Sequence, residues 1–230
     1  MAGVSRQQYA TYTKLIRVMC TGRVELPFVI RAFSNGIDGV FIGGCHLNDC
    51  HYITEGNYNA LGMVLLGKKI LEHIGVNPER LRMEFLSAGE GIRFAEAVND
   101  FAAKVRELGP LGRGEGINEE VLKIRLEAVT NLLPYIKLVE RERLRIPHKS
   151  EEEYRKFFAS DEFGRLFAET IAGKLAISQI VSLLQKGPRT AKEIAEALGM
   201  PPSEVARHLN ASAKQGLVRF AEGRICFAPA

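Results

Sequence analysis

The chain has 230 residues, 46 % of them hydrophobic, and a net charge of +4. This length and apolar content exclude a disordered or fibrous protein and allow one large domain, or a core domain with a small second one; the charge is too mild to imply a nucleic-acid partner by itself. No window reads as a membrane span or a secretory leader, so the expected setting is the cytoplasm with no membrane partner.

Residues 1–13 are polar and show no period. Lys14-Leu15-Ile16-Arg17-Val18-Met19-Cys20 alternates and is β-branched enough to predict a strand ending in a cysteine, turned by Thr21-Gly22-Arg23-Val24. Val29, Ile30 and Phe33 mark the face of a helix over 26–33 that Asn35-Gly36 stops. Residues 38–43 read as a second strand, apolar on both sides as a buried parallel strand should be. A loop with two cysteines and two histidines follows, Gly43-Gly44-Cys45-His46-Leu47-Asn48-Asp49-Cys50-His51-Tyr52. Residues 55–74 then predict a long helix closed by Gly75, 81–86 a third strand, and 91–108 an amphipathic helix ending at Gly109-Pro110.

Strands and helices alternating at this spacing predict an α/β fold, a small open parallel sheet with flanking helices. Ligands of such sheets sit at the carboxyl ends of the strands. Cys20 closes the first strand and Cys45 follows the second, so both fall on one edge, within reach of Cys50.

Past Gly109 the composition changes. Residues 109–116 carry four glycines and predict a flexible linker. Residues 118–143 predict a charged amphipathic helix kinked at Pro134, and 147–149 a second break. A further helical stretch over 154–185 is interrupted near Ser160-Asp161, a natural N-cap. The last segment gives a helix from Ala191, a Gly199 stop, a second helix over 203–214, and a hairpin of 217–220 with 225–227 across Glu222-Gly223, the order of a winged helix-turn-helix. The predicted division is therefore 1–110, a helical linker over 111–172, and a winged domain over 173–230.

Clustered cysteines in a chain of this kind point to metal ligands or free thiols rather than disulfides. Cys20, Cys45 and Cys50 supply three soft sulfur ligands for zinc or an iron–sulfur group, with His46 and His51 as weaker candidates for a fourth. The competing reading is that they are small buried side chains beside a turn. Cys226, in the wing, reads as a core thiol. Cys45 with His51 as nucleophile and base lacks an orienting third group. Gly43-Gly44 and Gly89-Glu90-Gly91 complete no phosphate-binding pattern and read as tight strand-to-helix turns. From residue 174 onward there are eight basic and four acidic side chains. The second winged helix offers Arg207, His208, Asn210 and Lys214 to a nucleic acid, with Glu204 placed unfavourably for phosphates. DNA binding and structural docking are both open for this module.

Three groups of residues carry a family resemblance: Arg17-Val18-Met19-Cys20-Thr21-Gly22-Arg23-Val24; Gly39-Val40 through Gly44-Cys45-His46 and Asp49-Cys50-His51-Tyr52; and Glu55-Gly56-Asn57-Tyr58, followed by Ser87-Ala88-Gly89-Glu90-Gly91. In that order they resemble the delta subunit of methyl-viologen-reducing hydrogenase over nearly the first half of the chain. The resemblance implies a non-catalytic electron-transfer subunit with a two-iron, two-sulfide (2Fe-2S) cluster on Cys20, Cys45 and Cys50. It also implies two partners, a hydrogenase or formate dehydrogenase module and a heterodisulfide-reductase-like flavin subunit. The family begins with a further strand and a cysteine-rich segment, which this sequence lacks, leaving the ligand set one thiol short. The expectation is that the fourth ligand lies outside this chain, and that Met1 is an internal methionine of a longer product whose upstream segment includes a cysteine or selenocysteine codon. The rival expectation is a redox- or metal-sensing winged-helix regulator that binds DNA.

Overall fold

The computed structural model describes residues 8–53, 55–144, 146, 150–221 and 226–229. The expectation about Met1 and the predicted break at 147–149 lie outside them.

Pro27 opens α1 (Leu26–Ser34), and Leu26, Val29, Ile30 and Phe33 recur on one side, so that side is buried. Strand β1 (Val40–Gly44) leads through the cysteine loop into α2 (Asn57–His73), which returns the chain to β2 (Leu81–Phe85). The two strands pair in parallel from Val40↔Leu81 to Gly44↔Phe85. Helix α3 (Gly91–Leu108) buries Ala95, Val98, Phe101 and Ala102. The result is the mixed α/β architecture expected, with one correction.

The predicted strand over 14–20 does not form. These residues enter no sheet among the described residues, and Leu15, Ile16, Val18 and Met19 are 65, 86, 43 and 93 % exposed. Alternation supplies a strand's side-chain pattern but not a neighbour; without an edge to pair with, the backbone gains no ladder hydrogen bonds. The parallel sheet therefore has two strands among the described residues rather than three. Cys20 itself is extended and caps a short 3-10 turn, Thr21–Arg23, its Sγ accepting from the Gly22 N–H.

Residues 109–116 also depart from expectation. Rather than forming a flexible linker, they are pinned by Arg80, which is fully buried. Its guanidinium pairs with Glu115 at 2.5 Å and donates to the carbonyls of Asp38 and Leu108, while Glu115 accepts from the Asn77 and Gly112 N–H groups. A buried charge is tolerable only when paired and hydrogen-bonded in this way.

Helix α4 (Glu119–Arg143) starts at Asn118, whose side chain accepts from the Glu120 N–H, and runs through Pro134. It serves two cores. Leu122, Leu126, Val129, Ile136 and Val139 join α1 and α2, while Ile124 joins the winged module. Arg125 donates to the carbonyl of Ile74, just past α2, at 2.9 Å and to that of Leu198 at 3.0 Å, closing two helix carboxyl ends with one side chain.

Helix α5 (Glu151–Phe158) is followed by α6 (Asp161–Phe167), which Ser160 caps. A π turn over Ala168–Ala172 joins α6 to α7 (Gly173–Leu184). Contrary to the sequence reading, this run over Asp161–Leu184 reaches the length and apolarity of a membrane span. Its buried residues Phe163, Phe167, Ile171 and Leu175 follow one stripe into the shared core, the pattern of a packed helix. A capping box of Thr190 and Glu193 starts α8 (Ala191–Leu198), and Gly199, with φ of +67°, ends it. Then come α9 (Pro202–Lys214) and the antiparallel pair β3 (Val218–Ala221) and β4 (Cys226–Pro229). This is the winged order expected; the turn at Glu222-Gly223 lies outside the described residues.

Candidate metal centre

Because β1 and β2 are parallel, the loops leaving their carboxyl ends share one edge. Three pieces of chain meet there: the turn after Cys20, the loop over 45–53, and the start of α2. The approach is close enough to require glycine. A Cβ at Gly22 would stand 2.6 Å from the Glu55 carbonyl oxygen, and one at Gly56 would overlap Cys50 Sγ.

Cys20, Cys45 and Cys50 are brought together as the sequence reading expects. The Cys50 thiol is close enough to Cys45 and Cys20 for each to act on its ionisation. Cys50 is buried, the other two half-buried, and all are free thiols. Burial pushes the Cys45 thiol up, with Cys50 adding to it. Burial pushes Cys50 up as well, but backbone N–H groups of Asn57 and Tyr52 and the neighbouring thiols outweigh it, leaving a net lowering. A sulfur held at a helix N-terminus by backbone donors favours the thiolate, the form that binds metal. Among the described residues no group of three or more His, Cys, Asp or Glu side chains stands where it could hold a metal ion. What the chain offers is three neighbouring thiols, soft donors of the kind an iron–sulfur group takes.

Among the described residues, the contacts of the two histidine rings are with groups other than the thiols. His46 Nε2 lies 2.7 Å from Glu90 Oε2. Glu90 also accepts from the Ser87 N–H at 2.6 Å and from Arg93, and the Ser87 N–H together with His46 holds its carboxyl down to about 2. His51 is exposed and packs edge-on against Tyr52, 5.0 Å between ring centres. Cys226 is buried in β4, as a core thiol should be.

Asn57 was not singled out from sequence. It is the first residue of α2 and fully buried; its Nδ2 donates to the carbonyls of Cys45 at 2.9 Å and His46 at 2.8 Å, and lies 3.7 Å from Cys45 Sγ. Its neighbour Tyr58 donates to Asn48 Oδ1 at 3.1 Å, where Asn48 takes a φ of +73° that Asn tolerates. Among the described residues, the Asn57 Oδ1 and the hydroxyl of buried Thr21 have no hydrogen-bond partner. The sequence signals for it were its place in Glu55-Gly56-Asn57-Tyr58, which carries the family resemblance, and an amide at a helix start directly after the cysteine loop.

On the winged module, Arg207, Asn210 and Lys214 are exposed along α9. His208 is not on that face: it is 7 % exposed, turned inward beside Gly173, with Nε2 3.4 Å from Glu204. It shares a face with buried Val205 and Ser212, three residues before it and four after, the packed side of the helix. Arg207 faces Glu204 at 3.6 Å.

Residues 1–109 match the family described as methyl-viologen-reducing hydrogenase, delta subunit. Residues 178–219 match bacterial regulatory protein, arsR family. Among curated relatives, the iron-sulfur subunit of the F420-non-reducing hydrogenase of Archaeoglobus profundus is 51 % identical over 110 residues, covering 48 % of this chain and 80 % of the relative. The iron-sulfur subunit of the vhc F420-non-reducing hydrogenase of Methanococcus voltae is 47 % identical, covering 47 % of this chain and 75 % of the relative. One component of the ferredoxin/F(420)H(2)-dependent CoB-CoM heterodisulfide reductase of Methanosarcina acetivorans is 41 % identical over 112 residues, 49 % of this chain but 14 % of that protein.

Proposed function

The chain belongs to the methyl-viologen-reducing hydrogenase delta subunit family, and from that we propose that it is a cytoplasmic electron-transfer subunit whose Cys20, Cys45 and Cys50 hold a 2Fe-2S cluster. The observation that carries the reading is the convergence of these three thiols, one of them lowered by backbone N–H donors, at the carboxyl edge of the parallel strands. When bound, the cluster takes up and returns single electrons. The chain's own part is to fix three sulfurs, aim the Asn57 and Tyr52 N–H groups at Cys50, and leave Cys20 and Cys45 half-exposed toward a partner. No proton donor, base or nucleophile is required. Only three of the four cysteines are at the site, so the fourth ligand comes from His46, from His51 or from outside this chain.

The relatives support the choice of partners. A module similar to residues 1–109 occurs as a separate iron-sulfur subunit of hydrogenases and again within a much longer component of heterodisulfide reductases. The proposed donor is a hydrogenase or formate dehydrogenase module, and the acceptor a heterodisulfide-reductase-like flavin subunit. The test is anaerobic purification with iron, zinc and acid-labile sulfide analysis and EPR after dithionite. About two irons and two sulfides per chain with a reduced-state signal are expected; zinc without sulfide overturns the reading.

The match of residues 178–219 favours one second reading, a regulator that binds DNA through the exposed stripe of Arg207, Asn210 and Lys214. It requires duplex binding that falls steeply as salt rises. Mobility shifts at two ionic strengths decide it, and no retained duplex at low salt removes it.

A further inference from the structure

We infer that residues 14–19 are a docking strand that pairs with an acidic sheet edge of a partner protein. This surface involves no thiol and no metal, and it stands apart from the cluster proposed above. Both ends of the segment are tied down. Upstream, Tyr9 packs edge-on against Phe94 of α3, the Ala10 N–H donates to Asn99 Oδ1 at 2.9 Å, and Arg106 donates to the Tyr12 hydroxyl at 2.8 Å. Downstream, Cys20 is extended and caps the turn over Thr21–Arg23, and Thr21 is buried with its side chain beside Gly44 at the end of β1. Between these anchors, residues 13–18 belong to no helix, strand or turn. Among the described residues, none of 14–19 makes a backbone–backbone hydrogen bond. A segment fixed at both ends has already lost much of the freedom that pairing would cost it.

Of the thirteen large hydrophobic side chains exposed among the described residues, five fall within residues 12–19, and apolar groups so concentrated on a surface mark an interaction site. An open backbone with alternating side chains is completed by another strand, whose main chain supplies the missing hydrogen-bond partners; a nucleic acid or a lipid surface would leave those groups to water. Charge selects the strand. Residues 14–24 carry Lys14, Arg17 and Arg23 and no acidic side chain, and all three cations are exposed. In an extended chain Lys14 shares one face with Ile16 and Val18, and Arg17 the other with Leu15 and Met19. A second copy of the chain would bring the same cations alongside, and like charges across paired strands repel. Carboxylates on the facing strand pair with them instead. The occupant that fits is an edge strand in which apolar and acidic residues alternate.

The test uses the full chain and short labelled peptides: valine alternating with glutamate, valine alternating with lysine, and the glutamate peptide N-methylated at alternate residues. The readouts are fluorescence anisotropy and hydrogen exchange at the amides of Leu15 to Met19. The glutamate peptide is expected to bind at least about tenfold more tightly than the lysine peptide, to protect those amides, and to lose its binding on N-methylation. The double variant Lys14→Glu, Arg17→Glu changes exposed side chains only, so its thermal melt should match wild type while its preference between the two peptides reverses. Equal affinity for the two peptides, indifference to N-methylation, or amides that stay unprotected under saturating glutamate peptide each overturn the inference. So does protection that appears in wild type alone as its concentration rises, which would show pairing with a second copy. Protection within a chain extended by translating the upstream reading frame would show the strand covered in cis, and that result overturns it too.

Discussion

β1 and β2 run parallel, so Gly44 and Phe85 end side by side and the loops beyond them meet; β3 and β4 run antiparallel, so each end of that pair joins one strand's start to the other's finish. The parallel pair gathers groups distant in sequence: His46 finds Glu90, 44 residues away, and Cys20 finds Cys50. The antiparallel pair brings together near neighbours such as Phe220 and Phe227, edge to face at 5.4 Å. A parallel pair needs a long crossover and packed helices to exist at all, whereas a hairpin closes locally. Chemistry that requires convergence therefore sits on the first sheet, and the second is a self-contained module attached through α4 and α7.

The largest expected effect breaks the convergence itself. Cys50→Ser removes the buried thiol that contacts the other two, and iron and sulfide content should fall at least about tenfold while the far-UV spectrum is unchanged. Retained loading would place the cluster elsewhere. Next is Arg80→Met, which leaves Glu115 buried without its partner. Unfolding in guanidinium should show a loss of about 3–5 kcal/mol, and because Arg80 ties the start of β2 to the loop over 109–116, the loss should appear in the parallel-sheet domain first.

A smaller effect concerns the face between α1 and α4. Burial, with Glu25 adding to it and Lys137 opposing, pushes the Glu140 carboxyl from 4.5 up to about 7. The folded state thus keeps a proton that the unfolded chain has lost. Stability from this group is full below about pH 4.5 and is lost as pH rises through 7. Wild type should lose about 2 kcal/mol between pH 5 and 8 on this account, and Glu140→Gln should abolish that slope; an unchanged slope would place the titrating group elsewhere. The smallest effect tests the self-contained module. Thr190→Ala removes the side chain that accepts from the Glu193 N–H. It should cost about 1 kcal/mol and leave the iron content of the cysteine loop untouched. A change in iron content would show that the two sheets are coupled.

Local signals made much of this legible beforehand. Gly199 and Ser160 mark helix ends by chemistry that acts within four residues. The cysteine loop was visible as a cluster beyond an apolar strand, and the order of the winged module as spacing of stops and starts. Residues 14–20 were misread because alternation is a property of the segment, and a strand is a property of a pair. His208 was assigned to the exposed face because a residue type that can contact bases does not reveal which side of α9 is packed. The pinned loop over 109–116 hid behind its glycines, since its order comes from Arg80, 35 residues before Glu115.

By itself, the sequence determined which segments are helical, where most of them begin and end, and that two thiols share the loop beyond a strand, because caps, periodicity and loop clustering are encoded within a few residues. The tertiary structure alone decided that β1 and β2 are the strands that pair, that Glu90 holds His46, that His208 turns inward, and that Asn57 faces Cys45. Each of these depends on which surfaces remain to be covered once the helices pack, and on burial making an unpaired polar group costly. Those are conditions set by the whole chain at once.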